Sequence, residues 1–296
     1  MRLVFSRRFS DLQQKCRMES YQKRLNDAIL LFNNADAVLV FSGAGMAYHA
    51  GLNTYTKLPQ GAFYKFAYKY MLIDVNDGFN IESMQDRQNF FRLYAQVFHD
   101  NAPSYTAHKQ VLDLLHKKPY FIAQTNPDYI YEHSGANAKR IMHIAGFPHY
   151  LQCAHACCHT LTPMPEEGSP FPVCPNCGGE LRPNLDIFGD DNFIWTQPYL
   201  NELHEYSSFV SKYKNKNMVI LELECGRHDH FGFNAPVIVS ALAQNPNVYV
   251  IRINKYEEFN SAGAKYINFY EPINTVLSDL LTAFPRAKRG RPRKQK

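Results

Sequence analysis

Val38-Leu-Val-Phe-Ser-Gly43-Ala-Gly45-Met-Ala-Tyr-His-Ala-Gly51-Leu52 is the stretch on which the reading of this chain turns. Val38 to Phe41 is an uncharged β-branched and aromatic run, the pattern of an interior parallel strand. Gly43 and Gly45 then let the backbone turn tightly and present N–H groups where a helix should begin. Unpaired amides and the helix dipole both favour an anion, so Gly43, Ala44, Gly45 and Met46 form a candidate phosphate cradle. Gly-x-Gly also occurs in turns that bind nothing, so the rest of the chain must supply the specificity.

Upstream, Leu25, Ala28, Ile29 and Phe32 recur at helical intervals, and Asn33 to Asp36 closes that helix. Helix, short turn and buried strand open a doubly wound α/β sheet. Downstream, Phe63 to His99 is rich in Tyr and Phe and reads as two or three helices over a cleft, with most of the rings in the core. Thr106 to Lys117 is an amphipathic helix. The strand Tyr120 to Ala123 ends in Gln124-Thr125-Asn126-Pro127-Asp128, polar residues on the side where parallel sheets bind ligands. Tyr129 to Ser134 is a short helix stopped by Gly135, and Arg140 to Ile144 is a short strand. After Pro198 to Tyr213, read as helix, the strand Asn217 to Leu223 carries Glu222, a buried carboxylate that needs a partner or a ligand. Glu224-Cys225-Gly226 follows at its carboxyl end. Ala235 to Ala243 reads as helix, Val248 to Asn254 as strand, and Asn274 to Ala283 as the closing helix. Asn254 ends its strand as an amide placed to read an adenine or a ribose. Alternating strands and helices predict a Rossmann-like doubly wound parallel sheet with right-handed crossovers.

Five of the seven cysteines fall between Cys153 and Cys177. Cys174-Pro-Asn-Cys177-Gly-Gly is a zinc knuckle, two thiolates on one tight turn with small residues that let amides reach the sulfurs. A tetrahedral site needs a second pair, Cys153 with Cys157 or, alternatively, Cys153 with Cys158. Such a four-thiolate site is closed and structural. Clustered thiols also indicate a reducing compartment, cytoplasmic or nuclear, rather than a disulfide framework. No apolar run is long enough to span a membrane. The expected division is an N-terminal arm over residues 1–20, a domain over 21–284 with a zinc-binding and helical insertion at about 147–190, and a basic tail over 285–296. Three arginines and no acid in Met1 to Ser10 leave a short organellar presequence as an alternative to an ordinary arm.

The net charge of +5 belongs to the tail. Arg286 to Lys296 carries seven basic residues and no acid, and taking those seven from +5 leaves −2 for the remainder. The body therefore carries no general charge for nucleic acid. Lys288-Arg-Gly-Arg-Pro-Arg-Lys294 resembles an AT-hook, an extended strand whose arginines enter an A·T-rich minor groove. An import signal and a solvated basic tail are the alternatives.

These pieces, in this order, resemble the sirtuins, the NAD-consuming protein deacylases and ADP-ribosyltransferases. Gly43-Ala-Gly45-Met-Ala47 with Ala50-Gly-Leu52 is similar to the family's Gly-Ala-Gly loop. Asn126-x-Asp128 with Gly135 is similar to its Asn-x-Asp…Gly motif, and Pro103, His108 and Leu112 to a Pro…His…Leu helix. Cys174-Pro-x-Cys177-Gly-Gly-x-Leu-Arg-Pro183, with Phe188-Gly189, is similar to the zinc module and its exit, and Ile253-Asn254 to the adenosine-side pair. The resemblance implies a pyrophosphate on Gly43 to Met46, with Tyr55, Thr125, Gly226 and Asn254 also lining an NAD site. It implies Asn126 and Asp128 at the reacting ribose, structural zinc, and a protein partner offering an acyl-lysine or an ADP-ribose acceptor.

The departures lie at the chemistry. Asn53-Thr-Tyr-Thr56 stands where the family has Pro-Asp-Phe-Arg, Thr125 replaces a glutamine, and Ala145 occupies the position of the family's basic histidine. His143, two residues earlier on a strand that keeps it on the same face as Ala145, reads first as a satisfied core or supporting histidine and second as a partial substitute for the base. These variants resemble the macrodomain-linked sirtuin class, with Thr125-Asn-Pro-Asp128, Asn184-Leu185 and Leu221-Glu-Leu223. That class implies ADP-ribosyl transfer more than efficient deacetylation. A catalytically weakened module that binds NAD or ADP-ribose, as a sensor or scaffold, is the alternative. For the tail, removing residues 285–296 is expected to lower retention on A·T-rich DNA and leave NAD affinity unchanged, compared by DNA-affinity chromatography and calorimetry.

Overall fold

The computed structural model describes residues 20–52, 61–187, 191–226, 245–255 and 265–284. The segments expected as the N-terminal arm (to residue 19), the loop holding Tyr55, Phe188-Gly189, the helix Ala235 to Ala243 and the basic tail lie outside the described residues.

The strand predicted at Val38 forms as β1 (Ala37–Ser42), buried at every position. Its residues alternate between two cores, as a pleated strand requires. Val38 and Val40 face the helix over 20–34, the helix Thr106–Leu115 and the closing helix Ile273–Thr282, where they meet Phe32, Val111, Leu115, Val276 and Leu280. Leu39 and Phe41 face Tyr199 and Tyr206 of the helix Gln197–Tyr213 on the other side. A strand covered on both faces has no polar side, which is why the sequence shows an unbroken apolar run.

Five further strands join β1: β2 (Tyr120–Gln124), β3 (Ile141–His143), β7 (Met218–Leu223), β8 (Val248–Ile253) and β9 (Tyr266–Phe269). They form one six-stranded parallel sheet in the order β3-β2-β1-β7-β8-β9. The direction of winding reverses between β1 and β7, the place where open α/β sheets form their ligand crevice.

The chain leaves the sheet after β3 and builds a three-stranded antiparallel ribbon from β4 (Gly146–Cys153), β5 (Thr162–Pro163) and β6 (Leu181–Leu185). Buried Gln152 locks it: its Oε1 accepts from Asn184 Nδ2 at 2.7 Å and from the Ile194 amide at 3.0 Å. A second covering unit comprises the helix Tyr64–Tyr70, a 3-10 turn Val75–Asn80, the helix Met84–Ala95 and a π turn Gln96–Asp100. Most of its aromatics are core, as expected, while Tyr64 and Tyr68 are exposed. Phe63, Phe90, Phe91, Tyr94 and Phe98 are buried together. Arg87 ties this unit to the ribbon with a bidentate pair to Glu180, at 2.9 and 2.8 Å.

The buried Glu222 has its partner. Arg252 lies opposite it on β8, and the Arg252 Nε donates to Glu222 Oε2 at 2.8 Å. Both residues are buried, so removing one leaves an uncompensated charge. Arg252→Met is expected to lower unfolding free energy by about 3–5 kcal/mol, and pairing it with Glu222→Leu to restore most of that, read by urea denaturation.

Candidate functional site

The crevice at the winding reversal is closed at its floor by the two glycines. The Gly43 amide donates to the Leu223 carbonyl at 2.9 Å, and the short helix Ala44–His49 starts directly after it. Gly43 itself is extended, with φ −97° and ψ −179°, so no unusual backbone requires glycine there. Space does. A Cβ on Gly43 would sit 2.5 Å from both Cys225 Cα and the Glu224 carbonyl oxygen. A Cβ on Gly45 would sit 2.6 Å from Glu224 Cβ. The expectation that these glycines serve a tight turn is corrected to close approach of two chain segments across the reversal.

One strand over, the Thr125 amide donates to the Ser42 carbonyl at 3.0 Å and holds the end of β2 against the end of β1. Asn126 and Asp128 follow, both buried. Neither Oδ1 nor Nδ2 of Asn126 makes a hydrogen bond of ordinary geometry among the described residues, although its amide lies near enough to the Asp128 carboxyl to favour the charged form. A buried amide so poorly paired is unfavourable by itself and marks a place for a polar ligand. Asp128 Oδ1 accepts from the Ile130 amide at 3.1 Å. Burial pushes its carboxyl up to about 6, against the opposing pull of that amide.

On the far side of the reversal, Glu224 is buried in the left-handed backbone region, with φ +49°. Asn254 donates from Nδ2 to the Cys225 carbonyl at 2.7 Å and is itself buried. It thereby fastens the end of β8 to the end of β7. Gly226 is exposed, and among the described residues nothing lies within 4 Å of where a Cβ on it would be. Tyr55 lies outside the described residues.

His143 and Ala145 do not share a strand. β3 ends at His143, and Ile144 and Ala145 form the turn into β4, with Gly146 at φ +91°. The alternation that would place both side chains on one face stops with the strand, which corrects that expectation. His143 is buried between two carboxylates. Its Nδ1 lies 3.0 Å from Glu202 Oε1, its Nε2 2.9 Å from Glu132 Oε1, and its ring stacks on Tyr129 at 4.5 Å between centroids. Burial alone would lower its pKa. The bonds to Glu132 and Glu202 outweigh that and push it up to about 10. Nδ1 thus hydrogen-bonds Glu202 and Nε2 lies at ion-pair distance from Glu132, an environment that favours the charged ring. Glu132 and Glu202 went unnoticed in the sequence because they lie 11 and 59 residues from His143, on helices whose polar residues resemble an ordinary solvated face.

The cysteines converge as the knuckle predicts. The Sγ atoms of Cys153, Cys157, Cys174 and Cys177 all lie within 4.8 Å of one another. Cys153 and Cys177 are 3.7 Å apart and Cys157 and Cys174 3.4 Å. Zinc with Zn–S bonds of ~2.3 Å sets its sulfurs about 3.8 Å apart, so the group fits the ion. Cys158 approaches Cys174 at 3.7 Å from outside that group. The amides of Cys177 and Asn176 point at Cys174 and pull its thiol down to about 6, the protonation state a metal ligand needs. Gly178 adopts φ +70°, and a Cβ on Gly179 would crowd the Cys177 sulfur at 3.2 Å.

The model of the Sir2 family matches residues 43–211, more than half of the chain. The chain belongs to the Sir2 family. Among curated proteins it is 30% identical over 173 residues to an NAD-dependent protein deacetylase of Caldivirga maquilingensis, covering 55% of this chain and 62% of that protein. It is 21% identical over 273 residues to a protein ADP-ribosyltransferase of Staphylococcus aureus, covering 84% of each. Among solved structures it superposes on a Sir2 homologue–NAD complex with a TM-score of 0.58 at 18% identity, over 87% of this chain and 92% of that one. A Sir2 protein bound to an acetylated peptide gives 0.55 at 14% identity, over 87% and 97%. At such identities these two show the Sir2 fold alone.

Within that fold the cysteine-bearing ribbon is a separate small core, in which Leu151, Cys153, Cys174 and Leu181 are buried together. Chelation of the purified protein, or Cys157→Ala, is expected to lower Tm by at least about 5 °C in a thermal scan. Cys158→Ala is expected to leave Tm within about 1 °C.

Proposed function

We propose that this chain takes NAD as a substrate and cleaves its nicotinamide–ribose bond, passing ADP-ribose to a protein acceptor or, less efficiently, removing an acyl group from a protein lysine. The observation that carries this reading is Asn126, a buried amide at the crevice beside the Asp128 carboxyl, with no hydrogen bond of ordinary geometry at either end among the described residues. Family membership supplies the reaction class. The deacetylase and ADP-ribosyltransferase names of two relatives bracket the two outcomes.

In this reading Gly43, Ala44, Gly45 and Met46 hold the pyrophosphate. Thr125, Asn126 and Asp128 hold the nicotinamide ribose and an ordered water, with Tyr55, Gly226 and Asn254 along the remaining wall. Asn126 and Asp128 favour positive charge developing on the ribose by position and electrostatics. The four thiolates keep zinc closed and structural, and it takes no part in the reaction. Loss of a positioned base typically costs ~10²–10⁴-fold, and Ala145 offers none. That loss weighs on deacylation, where a ribose hydroxyl must be deprotonated. It weighs less on transfer, where the acceptor brings its own nucleophile.

The pairing of His143 with Glu132 and Glu202 favours a second reading in one respect, since it removes the nearest substitute base. In that reading the chain binds NAD or ADP-ribose without turnover, as a sensor or scaffold. The tail, as an AT-hook, would carry either form to A·T-rich DNA. Incubation with NAD and candidate protein acceptors separates the two. Free nicotinamide is expected, and Asn126→Ala is expected to reduce its rate by about 10²–10³-fold. Binding of NAD with no nicotinamide from any acceptor would establish the sensor.

A further inference from the structure

The Glu224 carboxylate occupies the space that the cradle's second glycine opens. In dinucleotide-binding turns that glycine lets the backbone approach the pyrophosphate. Here Glu224 Oε2 lies 3.0 Å and Glu224 Cβ 2.6 Å from where a Cβ on Gly45 would be, so the side chain lies directly over Gly45. Its backbone is anchored, the Glu224 amide donating to the Ile253 carbonyl at 2.9 Å and its carbonyl accepting from Gly45 at 3.3 Å. The residue holds a left-handed conformation that glycine adopts freely and glutamate does not. The carboxylate itself is poorly satisfied. Oε1 is buried with no hydrogen-bond partner among the described residues. A histidine and a lysine face it. His49 Nε2, on the short helix of the cradle, is 3.6 Å from Oε1, and Lys255, past the end of β8, acts on it through its charge. His49 is itself pushed towards its neutral form by burial and by Lys255.

We infer that Glu224 is a proton-operated gate on the Gly43–Met46 cradle: ionised, it repels a pyrophosphate, and protonated, it admits one and donates a hydrogen bond to it. The inference rests on the reading of the cradle as the pyrophosphate site. Burial already raises the Glu224 carboxyl to about 7, with Lys255 opposing, so the gate changes state near neutral pH. A bound pyrophosphate adds negative charge beside it and raises that value again. Binding above neutrality must then take up a proton, and affinity must fall as pH rises. A gate of this kind makes the protein a poorer NAD binder in alkaline conditions without altering the residues at the reacting ribose.

The test is calorimetric titration of the full chain with NAD and with ADP-ribose, repeated in buffers of different ionisation enthalpy. For one linked proton, Kd is expected to weaken about tenfold from about pH 6 to about pH 8, with proton uptake on binding. ADP-ribose, which has the pyrophosphate without the nicotinamide, is expected to show the same slope. Glu224→Gln is expected to flatten the profile and to bind at the higher pH about as tightly as the wild type at the lower. Glu224→Gly, which suits the left-handed backbone, is expected to do the same while keeping the fold. A wild-type Kd independent of pH, or an unchanged slope in both variants, overturns the gate. Absence of NAD binding in the wild type and both variants at every pH overturns the nucleotide reading of the cradle and the gate with it.

Discussion

Along β1 and β7 the backbones pair in parallel from Ala37 opposite Met218 to Ser42 opposite Leu223, and the chain segments past both ends then press together. That contact needs residues without side chains on one side, because Cys225 Cα and the Glu224 carbonyl occupy the volume a Cβ on Gly43 would take. The crevice, the ends of β2 and β8, and the position of the short helix all follow from it. Loss of either glycine would separate the strand ends on which Asn126, Glu224 and Asn254 depend for their positions. The glycines thus act through space rather than through backbone freedom, and the cradle is as much a property of β7 as of β1.

The two units inserted into this frame differ in what holds them: the helical cover has a large aromatic core, and the ribbon has little apolar area beside its cysteine cluster. The ribbon's core contains four buried residues, two of them cysteines of that cluster. So small a core is marginal by itself, and the four sulfurs beside it could hold a metal ion that would add what burial cannot. Arg87 and Glu180 join the ribbon to the helical cover by two parallel hydrogen bonds, which fix orientation as well as distance. At the edge of the sheet, His143 lies between Glu132 and Glu202. The three side chains join the short helix Ile130–His133, β3 and the helix Gln197–Tyr213. A histidine between two carboxylates is favoured in its charged form.

The crevice therefore combines features that pull in different directions. Asn126 is a poorly paired buried amide, which favours a ligand, and Glu224 is a buried carboxylate against the cradle, which disfavours an anionic one. Both are thermodynamically unfavourable in the empty protein, and proteins keep such groups where binding or chemistry uses them. Ala145 adds an apolar side chain at the turn into the ribbon. On the proposed reading these features place the constraints at the phosphates and the ribose more than at proton abstraction.

Local patterns made much of this legible without coordinates. The apolar run before Gly43, the Cys-x-x-Cys-Gly-Gly turn, and the polar ends of the strands at Asn126 and Asn254 are short-range features, and short-range features have fixed spacings. Their order along the chain carries the parallel α/β sheet and the metal-binding insertion. What the tertiary structure alone decided involves residues far apart in sequence: Arg252 opposite Glu222, Glu202 against His143, Glu224 over Gly45, and Cys157 rather than Cys158 within the sulfur cluster. The sequence shows that a buried glutamate needs a partner, because ionised carboxylates are costly to bury. It does not show which of many arginines meets it, because that depends on strand order and register. The end of β3 at His143 is decided in the same way, by the turn into the ribbon, and it separates His143 from Ala145 where alternation along the chain would have joined them.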